Sequence, residues 1–90
     1  MKSIIQEDKM HCFLCDRFTD LDEHHVFNGL AYRSKSEKDG MKVYLCRECH
    51  MKIHENMKKR IELKKMAQRV WEKNYGTREE FIDRYGKSYL

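Results

Sequence analysis

Cys12-Phe13-Leu14-Cys15 and Cys46-Arg47-Glu48-Cys49 form two Cys-x-x-Cys pairs with 30 residues between them in a chain of 90. Nothing else in the sequence constrains the fold as strongly. A pair at this spacing turns both sulfurs toward one ion from a single tight turn. Two such pairs complete a tetrahedral shell with no open position, which is the chemistry of structural zinc. A redox dithiol or an iron–sulfur centre is the alternative use of the same thiols. The redox form normally sits on a parallel-sheet scaffold, and no βαβ pattern is present.

The composition explains why a staple matters. With 40% hydrophobic and 38% charged residues, the chain has a modest core, and small polar domains often lean on a metal or on disulfides. No apolar run is long enough for a bilayer, and Met1–Lys9 lacks the apolar stretch of a secretory signal. These features predict a soluble, cytoplasmic protein with no membrane partner. In such a reducing compartment, paired cysteines favour metal over disulfide.

Residues 1–90 are expected to form one domain, with a zinc-stapled core at 11–55 and a helical extension at 56–90. Met1–Met10 reads as a loose polar tail or a short element lying on the core. His25–Val26–Phe27 and Lys42–Val43–Tyr44–Leu45, β-branched and aromatic, read as the strands of a small hairpin. His24 and His25 would open the first strand. Gly29 and Gly40 bracket a polar stretch, Leu30–Asp39, expected to be an exposed loop.

After Cys46 the period becomes helical. Ile53, Met57 and Ile61, then Leu63, Met66, Ala67, Val70 and Trp71, form one drifting apolar stripe, with a break expected near Asn56. Gly76 suits a helix stop. Thr77 and Glu80 form a capping box for a last helix, whose buried side would be Phe81, Ile82 and Tyr85.

All five histidines fall between His11 and His54. His11 reads as a surface residue. His50 and His54, four apart on a helix, can grip one ion. His24 and His25 point to opposite sides of a strand, so they cannot share a role. Zinc at the four cysteines would draw the hairpin beside the helix that starts near Cys49. Three histidines could then hold a second, open-sided metal while a fourth acts as a base. That combination serves metal-assisted phosphodiester cleavage.

The string Cys-x-x-Cys, Glu23-His24-His25-Val26-Phe27 and Leu45-Cys46-Arg47-Glu48-Cys49-His50 with His54 resembles the four-cysteine branch of the HNH endonucleases, the ββα-metal or His-Me finger enzymes. Trp71, Tyr75–Phe81 and Tyr85–Leu90 are similar to small HNH-like phage and prophage proteins. The resemblance implies an α+β fold: a small ββα-metal, treble-clef-like core with a C-terminal helical extension. It implies structural Zn²⁺ on Cys12, Cys15, Cys46 and Cys49. It also implies a catalytic divalent ion (Mg²⁺, Mn²⁺, Ni²⁺ or Zn²⁺) on His24, His50 and His54, and His25 as general base. Met41 stands where that family usually has an asparagine that orients the base. The implied activity is hydrolysis of DNA in a bacterial host.

Charge is consistent with a phosphate-bearing partner. Residues 1–40 hold 6 basic and 8 acidic side chains, whereas 41–90 hold 13 and 7. Lys58, Lys65 and Arg69 fall on one side of the long helix as a phosphate-tracking stripe, with Arg33, Lys35 and Lys38 as loop contacts. No base reader stands out, so sequence preference is expected to be weak. The alternative is a catalytically silent zinc module that binds DNA or a phage protein. The apolar face around Val70 and Trp71 offers a route to a homodimer.

Overall fold

The computed structural model describes residues 1–90. Strands β1 (Asp22–His25) and β2 (Lys42–Leu45) pair antiparallel, in the register Asp22↔Leu45, Glu23↔Tyr44, His24↔Val43 and His25↔Lys42. Helix α1 (Arg33–Asp39) connects them, and α2 (Arg47–Glu55), α3 (Met57–Asn74) and α4 (Arg78–Tyr85) follow. The chain is therefore a small α+β protein with a two-stranded sheet and four helices. No helix is long and apolar enough to cross a membrane.

The first strand lies earlier than the residues suggested. His24 and His25 close β1 rather than open it, and Val26 and Phe27 lie beyond it as buried core residues. All four residues of β2 are buried. The N-terminal segment contributes to this cover. Ile4 N–H donates to the Gly40 carbonyl at 3.0 Å, and Tyr44 N–H donates to Gln6 Oε1 at 2.8 Å. Met1–Met10 is thus partly laid on the core.

The stretch expected to be a loop contains α1. Its seven residues carry no apolar side chain, so hydrophobic periodicity could not announce a helix. One fully buried hydroxyl anchors it instead: Ser36 Oγ donates to the Phe27 carbonyl at 2.6 Å and accepts from Phe27 N–H at 3.1 Å. Gly40 ends α1 with φ +71°, and a Cβ there would stand 2.5 Å from the Lys2 carbonyl oxygen. Gly40→Ala is expected to destabilise the fold by at least about 1–2 kcal/mol, the penalty for a left-handed non-glycine residue. Urea titration of the two proteins checks this.

Asn56 does break the helical run. Its side chain accepts from Lys59 N–H at 3.0 Å and caps α3. The break resets the helical phase, and this corrects the stripe. Leu63, Ala67 and Trp71 are buried at i, i+4, i+8, while Met57 (65% exposed) and Ile61 (38%) face outward. The Val70–Trp71 face offered for a dimer is taken up inside the chain: Trp71 is buried, and Val70 packs against the core.

The capping box forms as expected. Glu80 N–H donates to Thr77 Oγ1 at 3.2 Å, and Thr77 N–H donates to Glu80 Oε1 at 3.0 Å. Phe81 and Tyr85 are buried, but Ile82, one step round α4, is 38% exposed. Both cysteine pairs' buried members and the last two helices share one apolar cluster running from Cys12 to Tyr85. Its aromatic heart is Phe27, 4.5 Å from the ring of Tyr85 and 5.3 Å from that of Phe81.

Candidate metal centre

The two cysteine pairs converge. A turn brings Asp16 N–H to the Cys12 carbonyl at 2.9 Å, with Asp16 itself left-handed at φ 64°. Phe13 N–H donates to the Tyr44 carbonyl at 2.8 Å and ties this turn to β2. The second pair opens α2, with Cys46 at the N-cap and no side-chain capping bond. The four sulfurs lie within 4.8 Å of one another, and Cys15 Sγ is 3.7 Å from Cys46 Sγ.

Burial raises the Cys12 thiol pKa, but the backbone amides of Cys46, Cys15 and Leu14 outweigh it and bring the value down to about 6. Burial and the neighbouring sulfurs push Cys49 up to about 12. Four sulfurs this close cannot all be anionic without a cation among them. The set fits a zinc ion, and these four residues could hold one.

A second cluster lies where β1 meets α2. The ring centroids of His24 and His50 are 5.2 Å apart, those of His24 and His54 5.8 Å, and those of His50 and His54 4.8 Å. Nε2 of His50 and Nε2 of His54 approach to 3.2 Å. One nitrogen from each of the three rings lies within 4.8 Å of the others. Burial, with help from the fields of His50 and His54, lowers the His24 pKa to about 4. His24 is therefore neutral near pH 7, the form that ligates metals.

Asp22 is the residue that sequence reasoning missed. Its Oδ2 lies 3.1 Å from His50 Nδ1, and Arg47 Nε donates to the same oxygen at 3.0 Å. The bond to His50, then the one to Arg47, holds the Asp22 carboxyl below the usual carboxylate range. A carboxylate on the far ring nitrogen fixes the tautomer and leaves Nε2 to the metal. The signal was present: Asp22 precedes His24 by two, so strand alternation puts both on one face. Asp22→Asn is expected to weaken metal binding at the trihistidine cluster by about 10–100-fold. Competition against a fluorescent zinc indicator, with the four-cysteine metal retained, measures it.

His25 is not part of this cluster. It belongs with Glu23 and Glu37, its Nε2 standing 3.5 and 3.6 Å from their carboxylates. Lys42 Nζ lies 2.6 Å from Glu37 and 3.4 Å from Glu23. The His25 side chain is only 10% exposed, and its Nε2 has no hydrogen-bond partner. Of the basic residues singled out, Lys35 is engaged with the Arg84 carbonyl at 2.9 Å. Arg33, Lys58 and Arg69 are exposed and Lys65 is half-buried. The cations beside His54 are Arg60 and Lys64, not the three expected to track phosphate. At roughly 100° per residue, Lys58, Lys65 and Arg69 sit about half a turn round α3 from them.

Fold and clusters together define a small α+β protein with a four-cysteine site able to hold zinc and a trihistidine site beside it. The chain belongs to a family described as "Uncharacterized protein conserved in bacteria (DUF2197)", whose model matches residues 8–67. No curated protein and no solved structure matches it. This corrects the resemblance to HNH endonucleases and to their phage-borne forms. The matched segment contains both cysteine pairs and every histidine on which that resemblance rested, and it places them in a different family. Met41, the residue at odds with the HNH pattern, is fully buried in the apolar core.

Proposed function

We propose that the protein is a metal-dependent hydrolase of DNA phosphodiesters, with a structural zinc on Cys12, Cys15, Cys46 and Cys49 and a catalytic divalent ion on His24, His50 and His54. The observation that carries this is the convergence of three imidazoles from two elements, with Asp22 orienting His50. Three protein ligands leave coordination positions free, as catalytic sites require, whereas four thiolates close theirs. An ion held there would polarise a phosphoryl oxygen and acidify water. The core around the cysteines is read as treble-clef-like, with the start of α2 supplying the second cysteine pair.

The chain's own residues divide the work. His24, fixed by burial, would hold the ion from β1. His50, oriented by Asp22, and His54, on the next turn of α2, would hold it from the helix. His25 faces Glu23 and Glu37, so it stands outside the reacting set. Loss of a true general base costs about 10²–10⁴-fold, and His25→Ala is expected to fall well short of that.

Nicking of supercoiled plasmid, with Mg²⁺, Mn²⁺, Ni²⁺ or Zn²⁺ supplied in turn, is the test. His50→Ala should lower the rate by about 10²-fold or more, because loss of a ligand exceeds loss of its outer partner. It should also remove one metal equivalent and leave the circular dichroism spectrum unchanged. Nicking that survives His50→Ala at full rate would dispose of the trihistidine centre as the catalytic site. A wild-type protein that binds DNA but nicks nothing with any of the four ions would leave a silent zinc module.

A further inference from the structure

A groove of about 430 Å³ opens beside His54, walled by Met57, Arg60, Ile61, Lys64 and Tyr89. Its size is within the range of about 300–1,000 Å³ typical of small-ligand sites. Arg60 and Lys64 are held rather than waving in solvent. Arg60 Nη1 donates to the His54 carbonyl at 3.0 Å, so the guanidinium is tied to the backbone of a trihistidine residue. Lys64 is half-buried, its ammonium 5.2 Å from the Tyr89 ring centre. Lys87 Nζ stands 5.1 Å from the same ring.

None of these three cations has a carboxylate partner within 4 Å, although the chain forms ten other ion pairs or histidine–carboxylate contacts. Burial, then the repulsion of Arg60 and Lys87, depresses the Lys64 pKa. Unpaired cations converging on a concave wall are complementary to an anion. Apart from His54 and the Asn28 amide, the rest of that wall is apolar. Met57 and Ile61, turned out of the core by the phase reset at Asn56, lie beside the half-buried Tyr89 ring.

We propose that this groove is a nucleotide subsite for single-stranded nucleic acid, taking a backbone phosphate on Arg60 and Lys64 and the attached base against Met57, Ile61 and Tyr89. It rests on the trihistidine reading only for its purpose, which is to seat the nucleotide next to the linkage being cut. A base inside a duplex cannot lie on such a wall, whereas an unstacked one can. The preference is therefore for unpaired over paired strands.

The probe is a short fluorescein-labelled oligothymidylate, compared with a hairpin duplex of the same length, bound by zinc-loaded full-length protein. Anisotropy in the presence of Ca²⁺ instead of a transition ion reads binding without cleavage. Oligothymidylate should bind about tenfold tighter than the duplex, in line with stacking on an apolar or aromatic wall. Arg60→Gln and Lys64→Gln should each weaken it several-fold and lower the log–log salt slope by about 0.7. Lys73→Gln, elsewhere on α3, should leave both unchanged.

Two results would overturn the subsite. One is duplex binding equal to or tighter than single-strand binding. The other is an affinity in Arg60→Gln and Lys64→Gln no weaker than in Lys58→Gln and Lys65→Gln, which would take the contact away from the groove. Failure of plasmid nicking alone leaves the binding measurement standing, so the two proposals fail separately.

Discussion

Stripping the metal from the four cysteines is expected to unfold the chain outright. Dialysis against a strong chelator at neutral pH should abolish the cooperative thermal transition and most of the helical dichroism, and added zinc should restore both. The expectation follows from where the cysteines lie. Cys12 and Cys46 are each only 2% exposed and belong to the apolar cluster. The segment between Cys12 and β1 has no helix, and is held by turns, the Phe13–Tyr44 backbone bond and the His11↔Phe18 bridge. Structural zinc in small proteins contributes about 10–16 kcal/mol of apparent binding energy, comparable with the about 5–15 kcal/mol of net stability of a whole domain.

Loss of the ion therefore removes as much as the fold has in reserve. Metal binding needs thiolates, so lowering the pH has the chelator's effect and acid unfolding should track zinc release. Cys46→Ser should behave as the chelated wild type does. His50→Ala, which touches only the outer cluster, should not. A metal-free protein that melts within a few degrees of the zinc-loaded one would show that the sulfurs are merely buried thiols.

The cysteine spacing, the break at Asn56 and the Thr77–Glu80 box were legible because each is a local rule, satisfied within a few residues. The meeting of His24, His50 and His54 was legible for a related reason. Two of them share a helix face, and the cysteine pairs bring the strand to that helix. What was not legible depends on single long-range contacts. Helix α1 has no apolar face and exists through Ser36 bonding to Phe27, nine residues away. Met57 and Ile61 fit the apolar period of α2, but a cap between them and Ile53 rotates the next helix. Alternation already separates His25 from His24, but the resemblance implies it as the base of their site, and its imidazole lies instead with Glu23 and Glu37. The HNH resemblance failed differently. Short cysteine and histidine spacings record metal-ligand geometry, which families of separate identity can share.

Asp39→Ala is expected to destabilise the zinc-loaded protein by about 3–5 kcal/mol, the cost of removing one partner from a largely buried pair. Asp39 ends α1, and its carboxylate gathers three side chains from the two last helices. Arg84 donates to it through Nε at 2.6 Å and Nη2 at 2.8 Å. Trp71 Nε1 donates at 2.8 Å, and the Tyr85 hydroxyl at 2.7 Å. Its backbone carbonyl accepts from the Tyr75 hydroxyl at 2.7 Å. The Asp39 side chain is 13% exposed and Arg84 33%, so water can rescue the guanidinium in part but the indole and the Tyr85 phenol poorly. Truncation strands three donors against the apolar cluster, and each unsatisfied buried group costs about 1–3 kcal/mol. Asp39→Asn keeps an acceptor for one or two of them and should lose about half as much. Urea unfolding of the three proteins with zinc in excess separates this from metal loss: the midpoint should fall in the order wild type, Asn, Ala, with the slope unchanged. If Ala and wild type share a midpoint, α3 and α4 are held against the rest of the chain by apolar packing alone, and the Asp39 carboxylate adds nothing to a contact that the aromatic rings already secure.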